Sequence, residues 1–187
     1  MIETEKKIIL TYEEYLAIIM KMCKYAEPVI QTNYYFDTEN LTMNRKGVTC
    51  RIRFKNGKYT AEIKSHERKS RYRSIENILF RSDKFDETYF NKIGLYLQGS
   101  LVTERIPLYK DEFCEMVIDR NIYLGITDYE LEIEYKENYE RCAERILYVI
   151  AKLLFDDGKI GSISEFLERA DKSQNKSQRF FKEKNKK

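Results

Sequence analysis

"IETEKKI", residues 2–8, sets Glu3, Glu5 and Lys7 at every second position, with Ile2, Thr4 and Ile8 in the opposite phase. Successive side chains of an extended strand point to opposite faces, so this reads as a strand with its charges on one side. Such a strand, met alone, is a solvated sheet face. Whether the pattern recurs decides the fold.

It recurs three more times. "VTCRIRF" (48–54) places Arg51 and Arg53 opposite Cys50, Ile52 and Phe54, and "KYTAEIKS" (58–65) places Glu62 and Lys64 opposite Ala61 and Ile63. Asn56-Gly57 between these two runs is a strong hairpin signal. "TDYELEIEY" (127–135) places Glu130, Glu132 and Glu134 opposite Leu131, Ile133 and Tyr135. Further strands are expected over 30–38, over 100–110, and within 112–125, the last ending in a turn at Asp119-Arg120-Asn121. Residues 71–78 read as strand or loop and 86–97 as helical turns.

Helices punctuate the strands. Thr11 and Glu14 form a capping box for a helix over 11–25, and "YERCAERILYVIAKLLF" (139–155) is amphipathic, with Cys142, Ile146, Val149, Ile150 and Leu153 among its apolar positions. Another helix is expected from Ser164. The chain is expected to be a single domain over 1–187, with 181–187 a disordered basic tail.

An open sheet with helices on its apolar side fits this pattern. So does an α+β fold in which an eight-stranded antiparallel barrel closes around its charges, with helices packed outside. Charges inside a barrel need partners, because burying an unpaired ion costs several kcal/mol. Glu3, Glu5, Asp119, Glu130, Glu132 and Glu134 are oxygen ligands of the kind that Mg²⁺ and Mn²⁺ prefer. Lys7, Arg51, Arg53, Lys64 and Arg105 are donors for phosphate oxygens. A metal-bound polyphosphate would partner both groups.

Composition narrows the classes. The 34 basic against 31 acidic residues give a net charge of +3, too small an excess to favour nucleic acid as a partner. Cys23, Cys50, Cys114 and Cys142 lie far apart without a CxxC pair and with no secretory peptide before them, so a cytoplasmic, reduced protein is expected. No apolar run approaches the roughly 20 residues of a membrane span, so no membrane partner is expected. His66 is the only histidine, which argues against a serine-histidine triad or a multi-histidine zinc site.

These motifs together resemble the CYTH superfamily, the triphosphate tunnel metalloenzymes. Glu3-Thr4-Glu5-Lys6-Lys7 stands where the family has ExExK. Residues 31–64 resemble its YFDT segment, RxR strand and single-lysine strand, "TER" (103–105) its later arginine strand, and 117–135 its aspartate turn and acidic ExE strand. "NKSQRF" (175–180) resembles its C-terminal lysine helix. The likeness is strongest to a branch similar to thiamine triphosphatase and bacterial tripolyphosphatases. It implies a barrel-shaped tunnel and a metal-dependent triphosphatase acting on a small-molecule triphosphate, inorganic tripolyphosphate, a nucleoside triphosphate or thiamine triphosphate, as a monomer or homodimer.

The resemblance also implies roles. Glu3, Glu5, Asp119, Glu130 and Glu132 match metal-site acids, with Glu134 in phase as an alternative through a two-residue slip, for Mg²⁺ or Mn²⁺. Lys7, Arg51, Arg53, Lys64 and Arg105 match the phosphate-binding set, joined by Lys176 and Arg179 from the last helix. Glu3, Glu5, Lys7, Glu130 and Glu132 carry the catalysis in this reading. Glu62 and Glu76 line the tunnel or pair with its arginines, and Lys6, in the opposite phase, faces out. A class IV adenylyl cyclase and a non-catalytic polyphosphate-binding module are the alternatives; the cyclase branch has a histidine-phenylalanine opening before ExExK that this chain lacks.

Overall fold

A computed structural model describes residues 2–23, 27–66 and 72–186. Its strands are β1 (Ile2–Leu10), β2 (Val29–Asp37), β3 (Val48–Lys55), β4 (Lys58–His66), β5 (Arg73–Ser82), β6 (Tyr96–Lys110), β7 (Cys114–Tyr123) and β8 (Ile126–Tyr135). They close in the order β1-β5-β4-β3-β2-β6-β7-β8, with antiparallel pairing throughout. The charged faces therefore point into a barrel. Two meanders, β2 to β5 and β6 to β8, are joined by the β2/β6 ladder, and β1 fills the seam between β5 and β8.

Turn chemistry fixes the register. Lys55 pairs with Lys58 across Asn56-Gly57, and Tyr123 pairs with Ile126 across Leu124-Gly125. Both central residues of each turn have positive φ, 51° and 75° in the first, 48° and 80° in the second, which matches the strands' twist and favours glycine at the second place. The second hairpin corrects the expected turn at Asp119-Arg120-Asn121: β7 runs straight through it, with Asp119 paired between Arg105 and Glu130. Turn-like composition there marks a polar interior.

Other boundaries also shift. Residues 73–82 are strand throughout, helix in the 86–97 stretch is confined to α3 (Thr88–Lys92), and β6 begins at Tyr96. α2 (Thr42–Arg45) is held by Asp37, whose carboxylate accepts from Thr38 N at 2.8 Å, Met43 N at 2.9 Å and Asn44 N at 2.8 Å. The aspartate of the YFDT segment is thus a helix anchor.

Helices α1 (Tyr12–Met22), α4 (Glu140–Asp156) and α5 (Ile163–Lys172) cover the β1, β7 and β8 wall. Their apolar faces bury Ile18, Leu147, Ile150, Leu154 and Phe166 against Ile8, Met116, Ile118, Leu131 and Ile133. The Thr11–Glu14 capping box forms, and Glu14 also takes Arg169 of α5 at 2.6 and 2.8 Å. α3 covers a second wall, Phe90 and Leu95 packing on Phe36, Cys50, Ile52 and Ala61. Lys6 lies outside the tunnel yet is buried, held 3.2 Å from both Glu140 and Glu144.

One end of the barrel is closed by α6 (Lys176–Lys184), whose Phe180 and Phe181 pack on Tyr35, Leu101 and Tyr123. Helix therefore continues to Lys184 with Phe181 buried, where a disordered tail from 181 was expected; the aromatic pair supplies the packing that a lysine-rich composition conceals. Gly99 makes this approach possible. A Cβ there would lie 2.8 Å from the Phe180 ring, and its φ of 142° disfavours any side chain. Gly99→Ala should destabilise the protein by about 1–3 kcal/mol in urea unfolding, and an unchanged midpoint would refute the close seat of α6.

Candidate active site

Inward alternation brings Glu3, Glu5, Lys7, Arg51, Arg53, Lys64, Arg105, Glu132 and Glu134 onto one cavity inside the barrel, and Lys176 joins them from α6. Asp119, Glu130 and Arg179 do not line it; Asp119 and Glu130 are fully buried toward α6. Gln31, Asn33, Tyr35, Thr49, Asn175 and Ser177 complete the lining and escaped the sequence reading. Gln31, Asn33 and Tyr35 do alternate along β2, but without charge they are hard to tell from ordinary strand residues. Asn175 caps α6, so the helix N-terminus with its partial positive charge faces the cavity.

The ion pairs sort the charges. Lys7 sits 2.9 Å from Glu5 and 3.5 Å from Glu132, and Lys64 sits 2.8 Å from Glu3 and 3.4 Å from Glu5. Arg105 grips Asp119 through Nε at 2.9 Å and Nη2 at 2.7 Å, and also reaches Glu132. Glu62 and Glu76 each take one edge of Arg51 at 2.6 Å, so they pair with the arginine and do not line the cavity.

Two acid clusters could hold a cation: Glu5, Glu132 and Glu134, and Asp119, Glu130 and Glu132. The second already holds one. Lys176 Nζ lies 2.9 Å from Asp119, 2.7 Å from Glu130 and 2.5 Å from Glu132, and Arg179 adds a bond to Glu130 at 2.9 Å. Beneath it Arg179 and Asn121 hold Asp128, each at 2.9 Å. This is a packed, charge-paired floor.

The first cluster differs. Glu5 is held down at about 2, since Lys7 and Lys64 outweigh the burial that opposes its ionisation. Glu132 is likewise held well below the usual range despite burial, by Lys176, Arg105 and Lys7. Glu134 has no ion pair among the described residues; burial and then the charges of Glu132, Glu5 and Glu3 push it up to about 7. An unpaired carboxylate beside two ionised ones, all hard oxygen donors lining a cavity, fits a divalent cation of the Mg²⁺ or Mn²⁺ type.

Residues 1–159 match the model of the CYTH domain. The chain belongs to the CYTH domain family. A Bacillus subtilis protein named "Putative triphosphatase YjbK" is 28% identical over 153 residues, covering 74% of this chain and 80% of that one. The fold is shared with the crystal structure of a "putative adenylate cyclase" from Bacillus halodurans, at a TM-score of 0.67 and 21% identity over 96% of this chain and 97% of that one. It is also shared with the "putative adenylyl cyclase HpAC1" from Hippeastrum, described with a dominant triphosphatase activity, at a TM-score of 0.62 and 17% identity over 86% of this chain and 98% of that one. Among the described residues no helix is long and apolar enough to cross a membrane.

The raised Glu134 gives a signed pH effect. An acid whose folded value lies above its unfolded one favours folding when protonated, so its stabilising contribution declines as pH rises from about 4.5 through about 7. In EDTA, Glu134→Gln should therefore raise the melting temperature by a few degrees at pH 8 and change it little at pH 4.5, by scanning calorimetry. An equal gain at both pH values would refute the assignment.

Proposed function

We propose that this protein is a metal-dependent triphosphatase that hydrolyses a linear triphosphate and releases orthophosphate. The observation that carries the reading is one cavity lined on its walls by Arg51, Arg53, Lys64 and Arg105, with the Glu5, Glu132 and Glu134 cluster, whose Glu134 has no ion pair among the described residues, in the same lining. Its substrate class is that of the triphosphatase name borne by the Bacillus subtilis relative. A small-molecule triphosphate matches the basic walls of this cavity, whose lining α6 extends with Lys176 and Ser177.

In this reading Glu5, Glu132 and Glu134 hold Mg²⁺ or Mn²⁺, with Glu3 nearby in the lining. The ion, when bound, supplies Lewis-acid polarisation of phosphate oxygens and favours deprotonation of water. Arg51 and Arg53 bind phosphate oxygens through the guanidinium edges turned to the cavity, and Lys64 and Arg105 extend the grip along the chain. Their charges offset that of the departing diphosphate, the largest electrostatic demand of phosphoryl transfer. Lys7 keeps Glu5 ionised. Asp119 and Glu130, taken by Lys176, Arg105 and Arg179, serve to place those basic groups.

The relevant geometry favours the slipped pair, Glu132 and Glu134, over Glu130 and Glu132. Glu130 offers its oxygens to Lys176 and Arg179, whereas Glu134 is unclaimed among the described residues. With Mg²⁺ or Mn²⁺, purified protein should release orthophosphate from at least one of tripolyphosphate, ATP and thiamine triphosphate, and EDTA should abolish the release. Glu132→Gln should lower kcat by about 10²–10³, and Lys64→Ala should act mainly on KM. Silence across the panel would overturn the reading, and cyclic AMP with pyrophosphate from ATP would select a cyclase in its place.

A further inference from the structure

Glu62 belongs to neither the metal set nor the phosphate set, yet it is 4% exposed and sits behind the arginine wall of the cavity. Its Oε2 accepts from Arg51 Nε at 2.6 Å and lies 3.8 Å from Arg53 Nη2. Arg51 Nη2 donates to Glu76 at 2.6 Å, and Arg53 Nε donates to Asn33 at 3.2 Å. One carboxylate oxygen thus stands between two guanidinium groups that both line the cavity.

We infer that Glu62 is a built-in counter-charge that sets how tightly the Arg51 and Arg53 pair holds phosphate, and so how readily the diphosphate product leaves. The ligand named here rests on the triphosphatase reading. Buried charges at this range are weakly screened, so a fixed carboxylate next to both arginines subtracts from their attraction for any anion in the cavity. A phosphate group and Glu62 compete for the same positive charge.

The two arginines are served unequally. Arg51 has two carboxylates at 2.6 Å, whereas among the described residues Arg53 has only the distant edge of Glu62, the residue facing it across the ladder being Thr60. Burial and the neighbouring charge of Arg51 accordingly lower the guanidinium of Arg53 from its ordinary value. Arg53 is the member of the pair with charge to spare, and Glu62 limits it. Removing Glu62 leaves Arg51 with Glu76 alone and takes from Arg53 its nearest carboxylate, so more of the pair's charge is open to a bound anion and affinity rises; adding an acid at position 60 does the reverse.

Calorimetric titration of the full chain with inorganic pyrophosphate in Mg²⁺ tests this directly. Glu62→Gln should bind pyrophosphate about tenfold more tightly, and Thr60→Glu several-fold more weakly, with product inhibition constants moving in parallel. A role confined to stability would alter melting temperature and leave both affinities in place. Unchanged or weaker binding by folded Glu62→Gln overturns the inference, as does unchanged binding by Thr60→Glu, which decides alone should Glu62→Gln fail to fold. Failure of the wild type to bind pyrophosphate overturns it too. Binding that shifts as expected in a protein with no triphosphatase turnover supports the inference while rejecting the reading of function beneath it.

Discussion

A charge taken out of water must meet an opposite charge or leave the fold, and this barrel is organised around that demand. Its strands turn residues of both signs inward, so most of the acids find a base on the same or a nearby strand: Lys7 with Glu5 and Glu132, Lys64 with Glu3 and Glu5, Arg105 with Asp119. Breaking one member of such a set leaves a buried ion unpaired, which costs several kcal/mol. The apolar energy that supports the pairing lies outside the barrel, in the packing of α1, α4 and α5 on β1, β7 and β8. The usual arrangement of core and surface is therefore displaced outward by one layer.

Where pairing is incomplete, binding chemistry follows. Glu134 lacks a cation among the described residues and Arg53 lacks a close carboxylate, and both line the same cavity. In the proposed function a triphosphate with its divalent ion would supply what each is missing. Completely paired charges, such as Asp119 and Glu130 under Lys176, form structure; partly paired ones form a site. The difference lies in neighbours, not in residue type.

α6 links the two. Phe180 and Phe181 seat it in the barrel end through the gap at Gly99, Lys176 and Arg179 satisfy the acidic floor, and Asn175 turns the helix N-terminus toward the cavity. The same short helix is closure, counter-charge and part of the lining. A lysine-rich segment at the end of a chain thus has a buried role that composition alone hides.

Much of this was legible in the order of residues. Strict alternation in residues 2–8, 48–54, 58–65 and 127–135 determined which side chains share a face, because the two-residue period of a strand is a local property. Asn56-Gly57 determined a hairpin, and Thr11 with Glu14 a helix start, for equally local reasons. Asp119-Arg120-Asn121 misled, since polar residues in the middle of a strand look like a turn until the interior is known to be polar. Only the tertiary structure decided that the sheet closes, that Lys176 fills the Asp119, Glu130 and Glu132 cluster, and that Glu134 has no ion pair among the described residues. Pairing depends on distances between residues as far apart in sequence as Glu132 and Lys176, and no local pattern encodes those.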